Sequence, residues 1–214
     1  MQSAALIDYG SGNLRSAEKA LRRAAEGLAS PVDIVVTADP DVVARADRLV
    51  LPGVGAFAAC MGALSSRDGL IAAMAETTIA RGRPFLGICV GMQLLADRGL
   101  EFGETPGLGW IAGDVARLTP ADPKAKIPHM GWNALEDLAD NPLLAGLGEG
   151  AEMYFTHSFA FTPADPSHVI ASVDHGGRFA AAVAKDNIMG VQFHPEKSQT
   201  QGLRLLANFL ETPA

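Results

Sequence analysis

The sequence has 214 residues, 48% hydrophobic and 19% charged, with a net charge of −7. This length and composition suit one α/β domain spanning residues 1–214 and exclude a disordered chain. The acidic balance argues against a nucleic-acid or anionic-membrane binder, which needs clustered Lys and Arg.

In chain order, Ala4–Ile7 reads as a strand. No basic segment precedes it and Asp8 interrupts the apolar stretch, so a signal peptide is not expected. Asp8-Tyr9-Gly10-Ser11-Gly12-Asn13 follows. Its glycines resemble the start of a dinucleotide fingerprint, but Arg15 stands where the last glycine belongs, and no ribose-binding acid ends the second strand. Leu14, Ala17, Leu21 and Ala24 recur at helical spacing, with Asn13 as a candidate N-cap. Val32–Val36 reads as a strand, and Asp39–Ala44 as a short helix capped by Asp39 with Pro40 at its first position.

The uncharged stretch from Leu49 to Ser66 has the length of a membrane span, but Pro52, Gly53, Gly55 and Gly62 interrupt it. It reads instead as a strand (Leu49–Leu51), a turn, and a helix over 56–65. A helix over 69–80, a strand over Phe85–Ile88 and a helix starting at Met92–Ala96 follow. This alternation predicts βαβ units and a mainly parallel sheet. The second half supplies strand patterns at Trp110–Leu118, Glu152–Thr156, His168–Val173, Phe179–Ala184 and Ile188–Phe193. Asp174-His175-Gly176-Gly177 is a turn between two of them, so an antiparallel or mixed edge is expected. Leu203–Leu210 closes the chain as a helix.

The most informative segment is Phe85-Leu86-Gly87-Ile88-Cys89-Val90-Gly91-Met92-Gln93. A strand running into Gly-x-Cys-x-Gly and then a helix is the thiol counterpart of a nucleophile elbow. Cys89 is therefore a candidate nucleophile at positive φ, favoured as thiolate by the helix N-terminus, with the Val90 amide as an oxyanion donor. The other cysteine, Cys60, reads as a buried structural residue. Two cysteines make no disulfide framework, so a reducing cytoplasm is the expected compartment.

His194-Pro195-Glu196 ends the last strand pattern. Pro195 keeps His194 extended, and alternate residues of an extended segment share a side, so His194 and Glu196 can serve one site as base and orienting carboxylate. His129, His157, His168 and His175 show no comparable pairing, and no metal-ligand spacing is present. Pro52-Gly53-Val54-Gly55 follows a strand and has amides free to complete an oxyanion hole at Val54 or Gly55.

These motifs resemble the class I, triad-type glutamine amidotransferases. Asp8–Leu14, Pro52–Gly55, Pro128-His129-Met130-Gly131-Trp132-Asn133 and Tyr154-Phe155-Thr156-His157-Ser158 narrow the resemblance to the glutaminase subunits of imidazole glycerol phosphate synthase, over essentially the whole chain. The resemblance implies a flavodoxin-like α/β fold. It implies hydrolysis of L-glutamine to glutamate and ammonia through a cysteinyl thioester, with no cofactor. It also implies ammonia delivery to a (β/α)8 cyclase partner, in a heterodimer that turns the nucleotide PRFAR into imidazole glycerol phosphate and AICAR for histidine synthesis. Cys89, His194 and Glu196 carry over as the triad, and Gln93, Glu101, Gly53, His157 and Ser158 as glutamine contacts. Asn13, Tyr154 and Lys197 carry over as interface or signalling positions. Phe159 departs from the tyrosine that relatives often place there. Two alternatives stand beside this reading. One is the glutaminase of another synthase, such as that of pyridoxal phosphate synthesis. The other is a catalytically silent scaffold that only binds a partner.

Overall fold

The structure is a computed structural model that describes residues 2–213. The first half alternates strands and helices: β1 (Gln2–Ile7), α1 (Leu14–Ala25), β2 (Val32–Thr37), α2 (Pro40–Arg45), β3 (Arg48–Gly53), α3 (Phe57–Ser65), α4 (Leu70–Ala75), β4 (Phe85–Cys89) and α5 (Val90–Gln93). The second half is mostly strand. It comprises β5 (Arg98–Gly99), β6 (Thr105–Pro106), β7 (Gly113–Arg117), β8 (His129–Glu136), β9 (Glu152–His157), β10 (Phe159–Pro163), β11 (Val169–Asp174), β12 (Arg178–Lys185) and β13 (Ile188–Val191), and then α6 (Gln199–Glu211).

Nine strands form one sheet in the order β2-β1-β3-β4-β13-β12-β11-β8-β9. The first five pair in parallel and the rest antiparallel, so the mixed edge expected of the second half is present. A smaller sheet runs β10-β7-β5-β6. Because β2 and β3 lie on either side of β1, right-handed crossovers place α1 and α2 on opposite faces. α1 buries Ala17, Ala20, Leu21 and Ala24, the stripe read from the sequence, and packs against α6. A fully buried leucine such as Leu21 contributes about 1.5–3 kcal/mol. The parallel strands β3 and β4 are buried on both faces, which is why they read as unbroken apolar runs.

Several elements depart from the sequence reading. Asp39 caps α2 as expected, accepting from the Asp41 amide at 2.9 Å, but Asn13 makes no side-chain cap bond to α1. The helix expected over 69–80 changes at Glu76–Ala80 to a wider π turn. α5 spans four residues rather than opening a long helix, so the dipole behind Cys89 is short. Trp110 lies outside any strand, and β8 and β10 were not foreseen. β8 carries Gly131 at positive φ and polar residues out of step with simple alternation. The Leu49–Ser66 stretch folds as strand, turn and helix. Among the described residues, no helix is long and apolar enough to cross a membrane.

Candidate active site

The elbow forms as the glycine spacing demands. Cys89 has φ 56° and ψ −113°, a strained conformation for a residue with a side chain. A side chain at Gly91 would stand 1.9 Å from the Leu51 carbonyl oxygen, and one at Gly87 would stand 2.5 Å from the Gly91 oxygen. Both glycines are therefore required for strand, turn and helix to fold back so closely. Sγ is thrust out at the carboxyl end of β4, where open α/β sheets bind ligands.

His194 arrives from the adjacent strand β13. Its backbone is extended (φ −102°, ψ 95°), as Pro195 requires, but the chain turns at once into a 3-10 turn over Pro195–Lys197. Glu196 thereby folds back beneath the ring instead of following a straight strand. His194 Nδ1–H donates to Glu196 Oε1 at 2.8 Å. Ser198 locks the turn: its Oγ donates to the His194 carbonyl at 2.6 Å and accepts from the Tyr154 amide at 3.0 Å. The His194 amide donates to the Tyr154 carbonyl at 2.9 Å. α6 presses close behind, since a side chain at Gly202 would meet the Pro195 oxygen at 1.9 Å.

With Nδ1 committed to the carboxylate, His194 Nε2 is buried and has no hydrogen-bond partner. Burial disfavours the imidazolium. The interactions with Cys89 and Glu196 outweigh burial and hold the His194 pKa up to about 9. A pKa raised above 6.5 favours the imidazolium at neutral pH.

A pocket of about 470 Å³ opens over these residues. Its walls include Val54, Gly55, Cys89, Val90, Gln93, Glu101, His157, Ser158, His194 and Lys197, together with Pro128, Thr156 and Phe159. Most of the residues singled out from the sequence thus converge. Gly53 does not line it: a side chain there would stand 2.6 Å from the Gly91 amide nitrogen, so this residue serves the packing of β3 on the elbow. Asn13 faces a narrow crevice behind the pocket, beside Gly53, His194 and Glu196. Tyr154 lies outside the pocket, with Lys197 Nζ 5.5 Å from its ring centroid. Glu101 also holds structure: one carboxylate oxygen accepts from the Phe57 amide at 2.9 Å, at the start of α3. The Val54 carbonyl accepts from Ser11 Oγ at 3.0 Å and Cys60 Sγ at 3.2 Å. Cys60 is buried there as a structural residue, as expected.

Of the four histidines read as showing no comparable pairing, three, His129, His157 and His175, come together. His157 Nδ1–H donates to the Phe159 carbonyl at 2.9 Å, and since a carbonyl only accepts, the His157 tautomer is fixed. Its Nε2 must then accept from His129 Nδ1–H at 3.0 Å, and His129 Nε2 accepts from Asn133 Nδ2 at 3.1 Å. His175 stacks on His129 with ring centroids 4.1 Å apart. Their sequence separation hid this group, because antiparallel pairing of β8 and β9 sets His129 opposite His157. Burial, then the neighbouring His157 and His175, push His129 down to about 3. Burial dominates at His157 and brings it to about 4. Among the described residues no group of His, Cys, Asp and Glu is arranged to hold a metal.

Sequence reasoning also missed Gln192. It is fully buried, and its Nε2 donates to Cys89 Sγ at 3.7 Å while its Oε1 accepts from Gln93 Nε2 at 3.0 Å. The available signal was one amide inside the apolar run Met189–Phe193.

Comparison with known proteins agrees with the geometry. Residues 5–212 match the family described as glutamine amidotransferase class-I. The chain is 64% identical over 211 residues to the imidazole glycerol phosphate synthase subunit HisH of Caulobacter vibrioides, covering 99% of each chain. It is 60% identical to that of Rhodospirillum rubrum, covering 96% of this chain and 97% of the relative. A solved glutamine amidotransferase superposes with a TM-score of 0.72 at 20% identity, covering 97% of both chains, and so supports the fold. A glutamine amidotransferase from Thermotoga maritima gives a TM-score of 0.57 at 18% identity, covering 91% of this chain and 76% of that one. The chain therefore belongs to the class-I glutamine amidotransferase family, on the branch of the HisH subunits of imidazole glycerol phosphate synthase.

Proposed function

We propose that this chain, acting as one glutaminase domain, hydrolyses L-glutamine and supplies the ammonia to a (β/α)8 cyclase subunit of histidine biosynthesis. The cyclase would use the ammonia to convert PRFAR to imidazole glycerol phosphate and AICAR. The observation that carries the reading is Cys89 on a strained elbow beside His194, whose Nδ1 is anchored to buried Glu196 at 2.8 Å. Identity of 53–64% to HisH subunits along nearly the full chain favours this synthase over that of pyridoxal phosphate synthesis. The intact Cys–His–Glu set argues against a silent scaffold.

In this reading the Cys89 thiolate attacks the glutamine side-chain carbonyl. The oxyanion forms beside Val90 and the Val54–Gly55 segment, which border the pocket. The C–N bond breaks as His194 Nε2–H protonates the departing nitrogen, releasing ammonia and leaving a thioester. His194, now neutral, takes a proton from water, whose oxygen attacks the thioester. The C–S bond then breaks, glutamate leaves, and the thiolate and imidazolium are restored. Gln93 Nε2 is occupied by Phe159 O and Gln192 Oε1, so its oxygen is the end available to a substrate N–H group. Glu101 offers a carboxylate to the substrate ammonium, and backbone groups at His157 and Ser158 offer further contacts. Tyr154, Lys197 and Asn13 serve the partner interface or its signalling. Two unpaired cysteines fit the cytoplasm as the compartment.

The test is a glutamine-dependent cyclisation assay on the complex co-purified with the cyclase. Imidazole glycerol phosphate should form from glutamine, and Cys89→Ala should abolish that while leaving ammonia-driven turnover intact. Complex formation without glutamine-driven turnover would favour the scaffold. The resemblance to the family implies a rearrangement of the Pro52–Gly55 loop before its amide meets the oxyanion, so the chain alone should hydrolyse glutamine slowly. Equal, fast rates with and without partner would remove that gating.

A further inference from the structure

We infer that Gln192 is a further catalytic residue: its side-chain amide donates a hydrogen bond to Cys89 Sγ and stabilises the thiolate on which the proposed function rests. The amide lies 3.7 Å from the sulfur and is wholly removed from solvent. An N–H group at that distance is a weak partner for a thiol and a much better one for a thiolate, because the acceptor then carries charge. Its contribution therefore grows when the nucleophile forms.

The orientation of the amide is fixed by a chain of obligate acceptors. The Phe159 carbonyl has two lone pairs, which accept from His157 Nδ1–H at 2.9 Å and Gln93 Nε2 at 3.0 Å. Turning Gln93 over would set its oxygen against that carbonyl. With Gln93 so fixed, its Nε2 also donates to Gln192 Oε1 at 3.0 Å. Turning Gln192 over would then place two NH₂ groups against each other and point an oxygen at the sulfur. The only arrangement with every donor matched to an acceptor directs Gln192 Nε2 at Cys89. The backbone holds the residue in place as well, since the Gln192 amide donates to the Ala181 carbonyl at 2.8 Å. Position 192 sits two residues before His194, so one short segment brings both a hydrogen-bond donor and a proton carrier to one sulfur.

Two variants separate donation to sulfur from mere support of Gln93. Gln192→Glu keeps an oxygen for Gln93 but puts another oxygen where the N–H stood. Gln192→Met removes both polar ends at similar length. The readout is the rate of iodoacetamide alkylation at Cys89 in the full chain, resolved by peptide mass across a pH series. Alkylation of buried Cys60 serves as the internal check that each variant is folded. The expected result is a fall in the Cys89 rate at neutral pH of about threefold in Gln192→Met and about tenfold in Gln192→Glu. The pH profile should move to higher pH in both. Either variant suffices if the other fails to fold. Wild-type rate and profile in Gln192→Glu, or in Gln192→Met if only that variant folds, would overturn the inference and leave Gln192 as a support for Gln93. Wild-type protein that alkylates Cys60 as readily as Cys89 would instead remove the proposed function itself.

Discussion

His194 and the pair His129–His157 are similarly hidden from water, at 2%, 3% and 6% exposure, yet their ionisation runs in opposite directions. His194 is held up to about 9, whereas His129 and His157 are pushed down to about 3 and about 4. Burial alone disfavours the cation in all three, so the partner decides the outcome. His194 has a carboxylate on one side and a sulfur on the other. The pair has only carbonyl, amide and imidazole groups, which stabilise the neutral ring without a counter-charge. One corner of the site is thus a charged pair, His194 with Glu196. The other is a neutral hydrogen-bond chain that holds the Phe159 carbonyl, and through it Gln93 and Gln192, in place.

Removing the sulfur should have the largest effect. Cys89→Ala should lower glutamine turnover by about a thousandfold or more, read as ammonia release from the complex, with ammonia-driven cyclisation retained. Glu196→Gln comes next. Stripped of its carboxylate, His194 should come to resemble the neutral pair, and kcat should fall by about a hundredfold or more while thermal unfolding stays cooperative. Unchanged turnover would remove Glu196 from the mechanism.

A smaller effect sharpens the contrast through pH. The folded-state pKa of His194 lies above its ordinary value of 6.5, so its stabilisation is fully present below 6.5 and is lost as pH rises through about 9. His129 and His157 lie below 6.5, so the unfolded chain binds protons that the fold excludes. Their stabilisation is complete above 6.5 and is lost as pH falls towards about 4 and about 3. Urea unfolding over a pH series should show both declines. Glu196→Gln should weaken the alkaline one, and His129→Phe the acid one. The smallest effect is on stability alone. His129→Phe leaves His157 Nε2 without its donor and should cost about 1–3 kcal/mol in the same unfolding assay.

Much of this was legible in the residues. Gly87-Ile88-Cys89-Val90-Gly91 encodes the elbow because the side chains it forbids are local to the turn, and His194-Pro195-Glu196 encodes the His194–Glu196 contact because the two residues lie so close in the chain. Parallel strands were readable from apolar runs, and the hairpin at Asp174–Gly177 from its turn residues. What stayed hidden depends on pairing between distant segments. His129 and His157 meet only because β8 and β9 align, and Gln192 acquires meaning only once Gln93 lies against it. β8 and β10 themselves were masked by irregular alternation and by Pro163 at a strand end.

Acid-quench mass spectrometry of the complex while it turns over glutamine tests the nucleophile most directly. A glutamyl thioester is expected on Cys89 alone, with Cys60 unmodified, and more of it in Glu196→Gln, where hydrolysis of the thioester is slowed. Steady ammonia release with no acyl group on Cys89, and undiminished in Cys89→Ala, would contradict it.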